Sequence, residues 1–369
     1  GTGTPSASVN TTTLAEEEWD GSLSSITDTV SSTWTRLIYA NSQYNYFYTG
    51  LEDGNYYINL TTSTNGVDGT WSDTVWASDD PIRPIIDGGQ LWPIFDIQYN
   101  ASSSYFGMTY YVSSTDVIVF VTSTDGVTWG DAVPIYDDDD SGDEYIYNID
   151  FLEGTDDIII GYEFDKVAYS SDAGASWNSS TMSFVGDDDS VGVSIDSDQV
   201  LHAIVKTTNG AIFSYATSSN WGVAWSNTTT VYDATGTTLP LNKFAVDGNG
   251  RPSLLLADNT ESFGSSVTST MYFVSLEDGI WTTSTIGEIS YTFDKDPVYS
   301  DMGFYGAKPY MAYLGTSNYV DFAYSTSTES EFVFDVTQDL DDSSAIGENS
   351  RMSTTYDSAN TTAAVAYVT

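Results

Sequence analysis

Four arginines, five lysines, one histidine and no cysteine are all that this 369-residue chain sets against 53 carboxylates. Thiolate nucleophiles, disulfides and zinc–thiolate centres are excluded outright. The single histidine, His202, sits in the apolar stretch "VLHAIV" and reads as a packed side chain at the edge of a core. With no second histidine, no Ser-His-Asp triad stands on any other residue. Paired carboxylates could hydrolyse a glycoside, but spacing singles out no pair among so many. The run "DDDDSGDE" at 137–144 has the D-x-D-x-S-G opening of a calcium loop. It makes Asp137, Asp139 and Ser141 a candidate weak site for calcium or sodium, although Asn148 stands where such a loop places its bidentate Glu. A solvated acidic loop is the competing reading, and no organic cofactor is expected.

The formal net charge is −44. At ordinary ionic strength such self-repulsion weakens a compact state. In molar salt the screening length falls to about 3 Å and the penalty largely disappears. The composition is therefore what a halophile's protein requires. An acidic disordered chain is the alternative, but those are poor in aromatic residues, whereas Phe, Trp and Tyr make up 14% here and recur along the whole length. No basic stripe exists to neutralise phosphates, so nucleic acid is excluded as a partner. An anionic membrane surface is disfavoured for the same reason, and no apolar run approaches the roughly 20 residues of a membrane span. The chain begins at Gly1, which fits removal of a signal or upstream domain, or of an initiator Met. Six Asn-X-Ser/Thr sequons, at Asn10, Asn59, Asn100, Asn178, Asn227 and Asn360, fit a glycosylated surface but arise easily by chance in so Ser/Thr-rich a chain.

These residues are positioned by a repeat. One half of it is a hairpin, best seen in "VSIDSDQVLHAIV" (193–205), "FAVDGNGRPSLLLA" (244–257) and "GFYGAKPYMAYL" (303–314). Turn residues flanked by apolar strands are the hairpin signature. The other half is a strand running into a tight turn that ends on an aromatic. "SSDAGASW" satisfies S-x-D-x-G-x-[ST]-W through Ser170, Asp172, Gly174 and Trp177. "STDGVTW" is one residue shorter, with Ser123, Asp125, Gly126 and Trp129; "SSNWGVAW" has Ser218, Asn220, Gly222 and Trp225. Looser copies end at Trp71, Trp281 and Phe332, so the closing aromatics recur about every 50 residues, the size of one four-stranded propeller blade. Residues 1–30 resemble the second half of a unit and 350–369 the first half. The expected fold is all-β: one β-propeller domain over 1–369 with seven four-stranded blades (six as the alternative), the two chain ends pairing in the closing blade and leaving no free edge.

The turn motif resembles the Asp box of sialidases and of many non-enzymatic propellers. The resemblance implies a structural role: the Asp accepts turn N–H groups, the Gly supplies a left-handed conformation and the Trp tucks between strands. It also implies what a sialidase would need, namely three arginines on the substrate carboxylate, a Tyr–Glu nucleophile pair and an Asp acid/base. The family's Arg-Ile-Pro motif is absent, and "PIRP" at 81–84 is a poor echo. Arg36, Lys243 and Arg351 precede their hairpin turns by similar distances, and Arg83 leads into another such strand. In a propeller those strands line the channel, so the four would form an anion- or glycan-binding group at one mouth. The competing reading pairs each with a buried carboxylate.

The sequence leads to a non-catalytic, surface-exposed propeller for protein or glycan recognition, extracellular in high salt. The expected setting is the virion of a haloarchaeal virus, where it serves structure or host attachment, or a haloarchaeal cell surface. Partners would be other virion or cell-surface proteins and envelope glycans, with no membrane insertion. A secreted sialidase-type glycoside hydrolase and a purely structural decoration of a larger assembly are the alternatives.

Overall fold

The computed structural model describes residues 7–13, 22–26, 35–52, 55–64, 71–72, 75–76, 86–87, 90–91, 95–112, 115, 117–137, 146–152, 154–162, 166–182, 190–206, 211–234, 241–258, 266–292, 300–315, 320–325, 327, 332–337, 352–357 and 362–368. Among them every regular element is a strand.

In chain order the strands are β1 (Ala7–Thr13), β2 (Ser22–Ile26), β3 (Thr35–Ala40), β4 (Gln43–Glu52), β5 (Asn55–Ser63) and β6 (Val75–Trp76). A short hairpin follows, β7 (Ile86–Asp87) with β8 (Gln90–Leu91). Then come β9 (Phe95–Asn100), β10 (Tyr105–Val112), β11 (Val117–Ser123), β12 (Val133–Asp137), β13 (Ile146–Phe151), β14 (Ile158–Tyr162), β15 (Lys166–Ser170) and β16 (Asn178–Thr181). The next eight are β17 (Ser190–Ile195), β18 (Leu201–Lys206), β19 (Ala211–Ser218), β20 (Thr229–Ala234), β21 (Leu241–Val246), β22 (Pro252–Asp258), β23 (Ser266–Glu277) and β24 (Ile280–Thr292). The last are β25 (Ser300–Tyr305), β26 (Lys308–Leu314), β27 (Val320–Tyr324), β28 (Asp335–Thr337), β29 (Ser353–Asp357) and β30 (Thr362–Val368).

They form four-stranded sheets whose count follows the repeat. Six are built from consecutive strands, β3–β6, β9–β12, β13–β16, β17–β20, β21–β24 and β25–β28, and a further one is shared by the chain ends in the order β2-β1-β30-β29. There β1 lies antiparallel to β30, from Ala7 opposite Val368 to Thr13 opposite Thr362.

Burial differs systematically across a sheet. Two second strands are buried on both faces: every residue of β10 (YFGMTYYV) and of β14 (IIIGY) is buried. A strand covered on both faces reads as a continuous apolar run rather than an alternating one. The outermost strand β16 (NSST) is almost entirely exposed, as its composition requires.

The chain groups into two compact units, one of residues 1–49, 61–73 and 236–369, the other of 50–60 and 74–235. In the second unit the core lies between successive sheets. One cluster joins Tyr111, Ile118 and Phe120 to Ile149, Ile158 and Ile160; the next joins Ile159 and Val167 to Val193, Leu201 and Ala203. The first unit repeats the arrangement, with Leu255 and Phe273 packed against Met302 and Met311, and Phe322 against Val365.

Candidate functional site

The motif turns are organised around the serine. Ser170 is wholly buried. Its Oγ accepts from Gly174 N at 2.9 Å and Asp172 N at 3.3 Å and donates to Asp172 Oδ1 at 2.7 Å. The exposed Asp172 then accepts from Ser176 N at 2.9 Å and Ser176 Oγ at 2.6 Å. Ser123 and Asp125 repeat the pattern: Gly126 N donates to Ser123 Oγ at 2.8 Å, and Val127 N and Thr128 N donate to Asp125 Oδ1 at 2.8 and 2.6 Å. Where Asn220 replaces the carboxylate its amide oxygen does the same work, accepting from Ser218 Oγ and Ala224 N at 2.9 Å each. Charge is therefore not what the turn requires. The hydrogen bonds to its charged form hold the Asp125 carboxyl down at about 2, the bond from Thr128 N contributing most, and bonds from the Ser176 and Ser170 hydroxyls lower Asp172 likewise.

Gly126, Gly174 and Gly222 have φ of 77°, 83° and 79°, the left-handed region that glycine enters without strain. Gly174 also lacks room for a side chain: a Cβ there would stand 2.1 Å from Phe120 of β11. Trp177, Phe332 and Trp225 pack on the preceding sheet. Trp177 meets Phe120 edge-on at 5.1 Å, Phe332 meets Phe273 at 5.1 Å, and Trp71 meets Tyr46 beside Ala364 and Ala366. Trp225 lies against the cluster of β14, β15, β17 and β18, while the Trp129 indole donates to Gly126 O at 3.1 Å within its own turn.

A second set of contacts was not legible in the sequence. The first strand of each sheet is an edge, with backbone groups that need partners. Side chains of neighbouring first strands supply them. In the second unit Asp96 Oδ2 accepts from Ile149 N at 2.9 Å, Asn148 Oδ1 from Val193 N at 3.0 Å, and Asp150 from Ile195 N and Ser194 Oγ. In the first unit Asp301 Oδ2 accepts from Thr354 N at 2.7 Å, while Leu37 N and Tyr39 N donate to Ser353 Oγ and Thr355 Oγ1 at 2.8 and 2.9 Å. Periodicity carries no trace of these bonds, since a polar residue on an edge strand looks solvent-facing.

The cations divide accordingly. Lys243 Nζ lies 3.3 Å from Asp301 Oδ1. Arg251 is held by Asp247 at 2.6 Å and Glu277 at 2.8 Å, donates to Ala307 O at 3.3 Å and lies over the Phe332 ring. Arg36 is half-buried and donates to Thr35 O at 3.2 Å. Arg83 and Arg351 lie outside the described residues, as do Asp139, Ser141 and the side chain of Asp137. Among the described residues no cluster of metal-ligating side chains occurs, and no helix is long and apolar enough to cross a membrane.

His202 is buried between Tyr215 OH, 2.6 Å from Nδ1, and Asp196 Oδ2, 2.9 Å from Nε2. Burial lowers its pKa against the opposing pull of Asp196. A neutral ring donating from Nε2 to Asp196 and accepting at Nδ1 from Tyr215 satisfies all three groups. Asp196 Oδ1 meanwhile accepts from Asp198 N and Val200 N at 2.9 Å, so the triplet pins the β17–β18 turn. Among the described residues, two tyrosines beside carboxylates are shifted away from the phenolate. Burial first, and Asp301 second, push Tyr310 far above the ordinary range; burial and Asp321 do the same to Tyr313. A nucleophilic phenol requires the opposite shift.

No protein-family model and no curated protein matches the chain. Among solved structures, the NanB sialidase of Streptococcus pneumoniae bound to 2-[(3-chlorobenzyl)ammonio]ethanesulfonate is similar with a TM-score of 0.51 at 11% identity, over 79% of this chain and 66% of that one. NanB with Optactamide gives 0.51 at 10% over the same shares. The chain thus spans just under two thirds of the NanB chain. An ulvan lyase of a polysaccharide lyase family, bound to a sulfated disaccharide unit, has a TM-score of 0.49 at 14% identity, over 86% and 84% of the two chains. At these identities the likeness to NanB shows the fold alone: four-stranded antiparallel sheets arranged as a sialidase-like β-propeller.

Proposed function

We propose that the chain, as one β-propeller domain, is a non-catalytic recognition module on the surface of a haloarchaeal virion or cell, binding other surface proteins or envelope glycans. In this reading its motif turns are Asp boxes serving structure, and its surface charge is an adaptation to molar salt. One observation carries the non-catalytic reading: the cations Arg251 and Lys243 are committed to carboxylates within the protein. Catalysis on an acidic sugar needs preorganised positive charge facing the reacting centre. Binding needs less, a few aromatic surfaces and hydrogen-bond donors, and apolar contacts persist where salt screens charge. The fold shared with NanB is compatible with glycan recognition without transferring that enzyme's chemistry. The test is binding to host envelope and its glycans in molar salt, run beside a fluorogenic sialidase and glycosidase panel. Saturable binding without turnover is expected. Turnover comparable to that of a sialidase would replace this reading with the secreted hydrolase, and absence of both would leave structural decoration.

A further inference from the structure

The sequons are equivalent as sequence and sharply unequal in the fold. N-linked transfer reads two groups, the Asn carboxamide and the hydroxyl two residues on, and needs both at the surface. Asn100 is 2% exposed and fully used: Nδ2 donates to Thr155 O at 2.8 Å, and Oδ1 accepts from Ser102 N and Ser103 N at 3.1 Å each. It shapes its own hairpin turn and ties it to the next. Asn59 is half-buried, its amide set against Gly50. Asn178 is exposed, but its partner hydroxyl is not, because Ser180 Oγ is buried against Gly222 of the following turn. Asn178 also begins β16 and is fixed opposite Tyr169. The side chains of Asn10 and Asn360 lie outside the described residues.

Asn227 differs on every count. Asn227, Thr228 and Thr229 are all exposed, and Asn227 and Thr228 lie in the irregular segment between the Ser218–Trp225 turn and β20. The segment is anchored just before the sequon, where Ser226 N donates to Thr217 O at 2.8 Å and Ser226 Oγ accepts from Thr217 N at 2.9 Å. It leads into the outermost strand of its sheet. Such an edge is where bulky hydrophilic cover protects against edge-to-edge pairing.

We infer that Asn227 is an acceptor for N-linked oligosaccharide in the folded protein, and that Asn100 and Asn178 are not. The co-reactant is a lipid-phosphate-linked oligosaccharide. Asn227 Nδ2 bonds to the sugar C1, the C1–O bond to the lipid phosphate breaks with its electron pair, and one Nδ2 proton passes to a base of the transferase. The inference does not depend on what the propeller recognises.

The experiment treats the purified, folded full-length chain with a single-subunit oligosaccharyltransferase and a lipid-pyrophosphate-linked oligosaccharide, and reads site occupancy by peptide mass spectrometry. A synthetic peptide of residues 223–233 in the same mixture and the unfolded chain serve as comparisons. Occupancy at Asn227 is expected to exceed that at Asn100 and Asn178 by about tenfold or more in the folded chain, because those sites must first open, and to level out in the unfolded chain. Asn227→Gln and Thr229→Ala should each abolish the modification, and Thr229→Ser should retain it. Equal occupancy at Asn100 or Asn178 in the folded chain would overturn the inference. So would an unmodified Asn227, whether or not the peptide reacts.

Discussion

Lys243 and Asp301 face each other across neighbouring sheets, Nζ to Oδ1 at 3.3 Å, while the second oxygen of Asp301 accepts from Thr354 N on the sheet beyond. One half-buried cation and one buried carboxylate thereby connect three first strands. The two partners should not be equally costly to lose. Asp301→Ala strands both a lysine and a backbone N–H and should cost about 2–4 kcal/mol, whereas Lys243→Met leaves the buried Asp301 carboxylate without its cation but still bonded to Thr354, and should cost about 1–2 kcal/mol. Denaturant unfolding in molar salt measures both; equal losses would contradict the junction.

The motif turns should rank their residues by burial. Ser170→Ala leaves the buried Gly174 N–H without its acceptor and should cost about 1–3 kcal/mol, more than the roughly 1 kcal/mol expected for the exposed Asp172→Ala. Gly174→Ala meets both the left-handed φ and the Phe120 ring and should be the worst of the three. Asp172→Asn should be nearly silent, as Asn220 already stands in for Asp. Thermal melts of the four variants check the order, and a costly Asp172→Asn would show that charge matters after all.

Acid should act in two windows. His202 has a pKa lowered by burial, so the unfolded chain takes up its proton first and stability falls as pH drops below the ordinary 6.5. Asp125, lowered to about 2, contributes stability that is complete above its ordinary value near 4 and is lost as pH falls toward 2. Each group limits the slope to about 1.4 kcal/mol per pH unit. Unfolding free energies from pH 7 to 2 should lose the upper window in His202→Gln and flatten in the lower one in Asp125→Asn. An unchanged profile in His202→Gln would mean that the ring titrates alike in the folded and the unfolded chain.

Salt should raise stability steeply. With a net charge of −44, moving from low to molar salt should lift the melting temperature by about 10 °C or more. A melting temperature indifferent to salt would remove the halophile argument.

The sequence by itself determined the strands and the repeat of about 50 residues. Each rests on local chemistry: apolar runs long enough for one strand and turn residues at fixed offsets. It also located the motif turns, because Ser170, Asp172 and Gly174 bond within seven residues of one another. That burial makes Ser170 the hub of its turn is a property of the packed sheets. The fates of Lys243 and Asn100 were decided by tertiary structure, whereas His202 is buried as its apolar stretch implied. Lys243 meets Asp301 58 positions away, and Asn100 meets Thr155 55 positions away. A chain does not announce which distant strand will lie beside an edge with unpaired N–H groups. The same reason separates Asn227 from Asn100, identical as motifs, by whether a neighbouring sheet covers them.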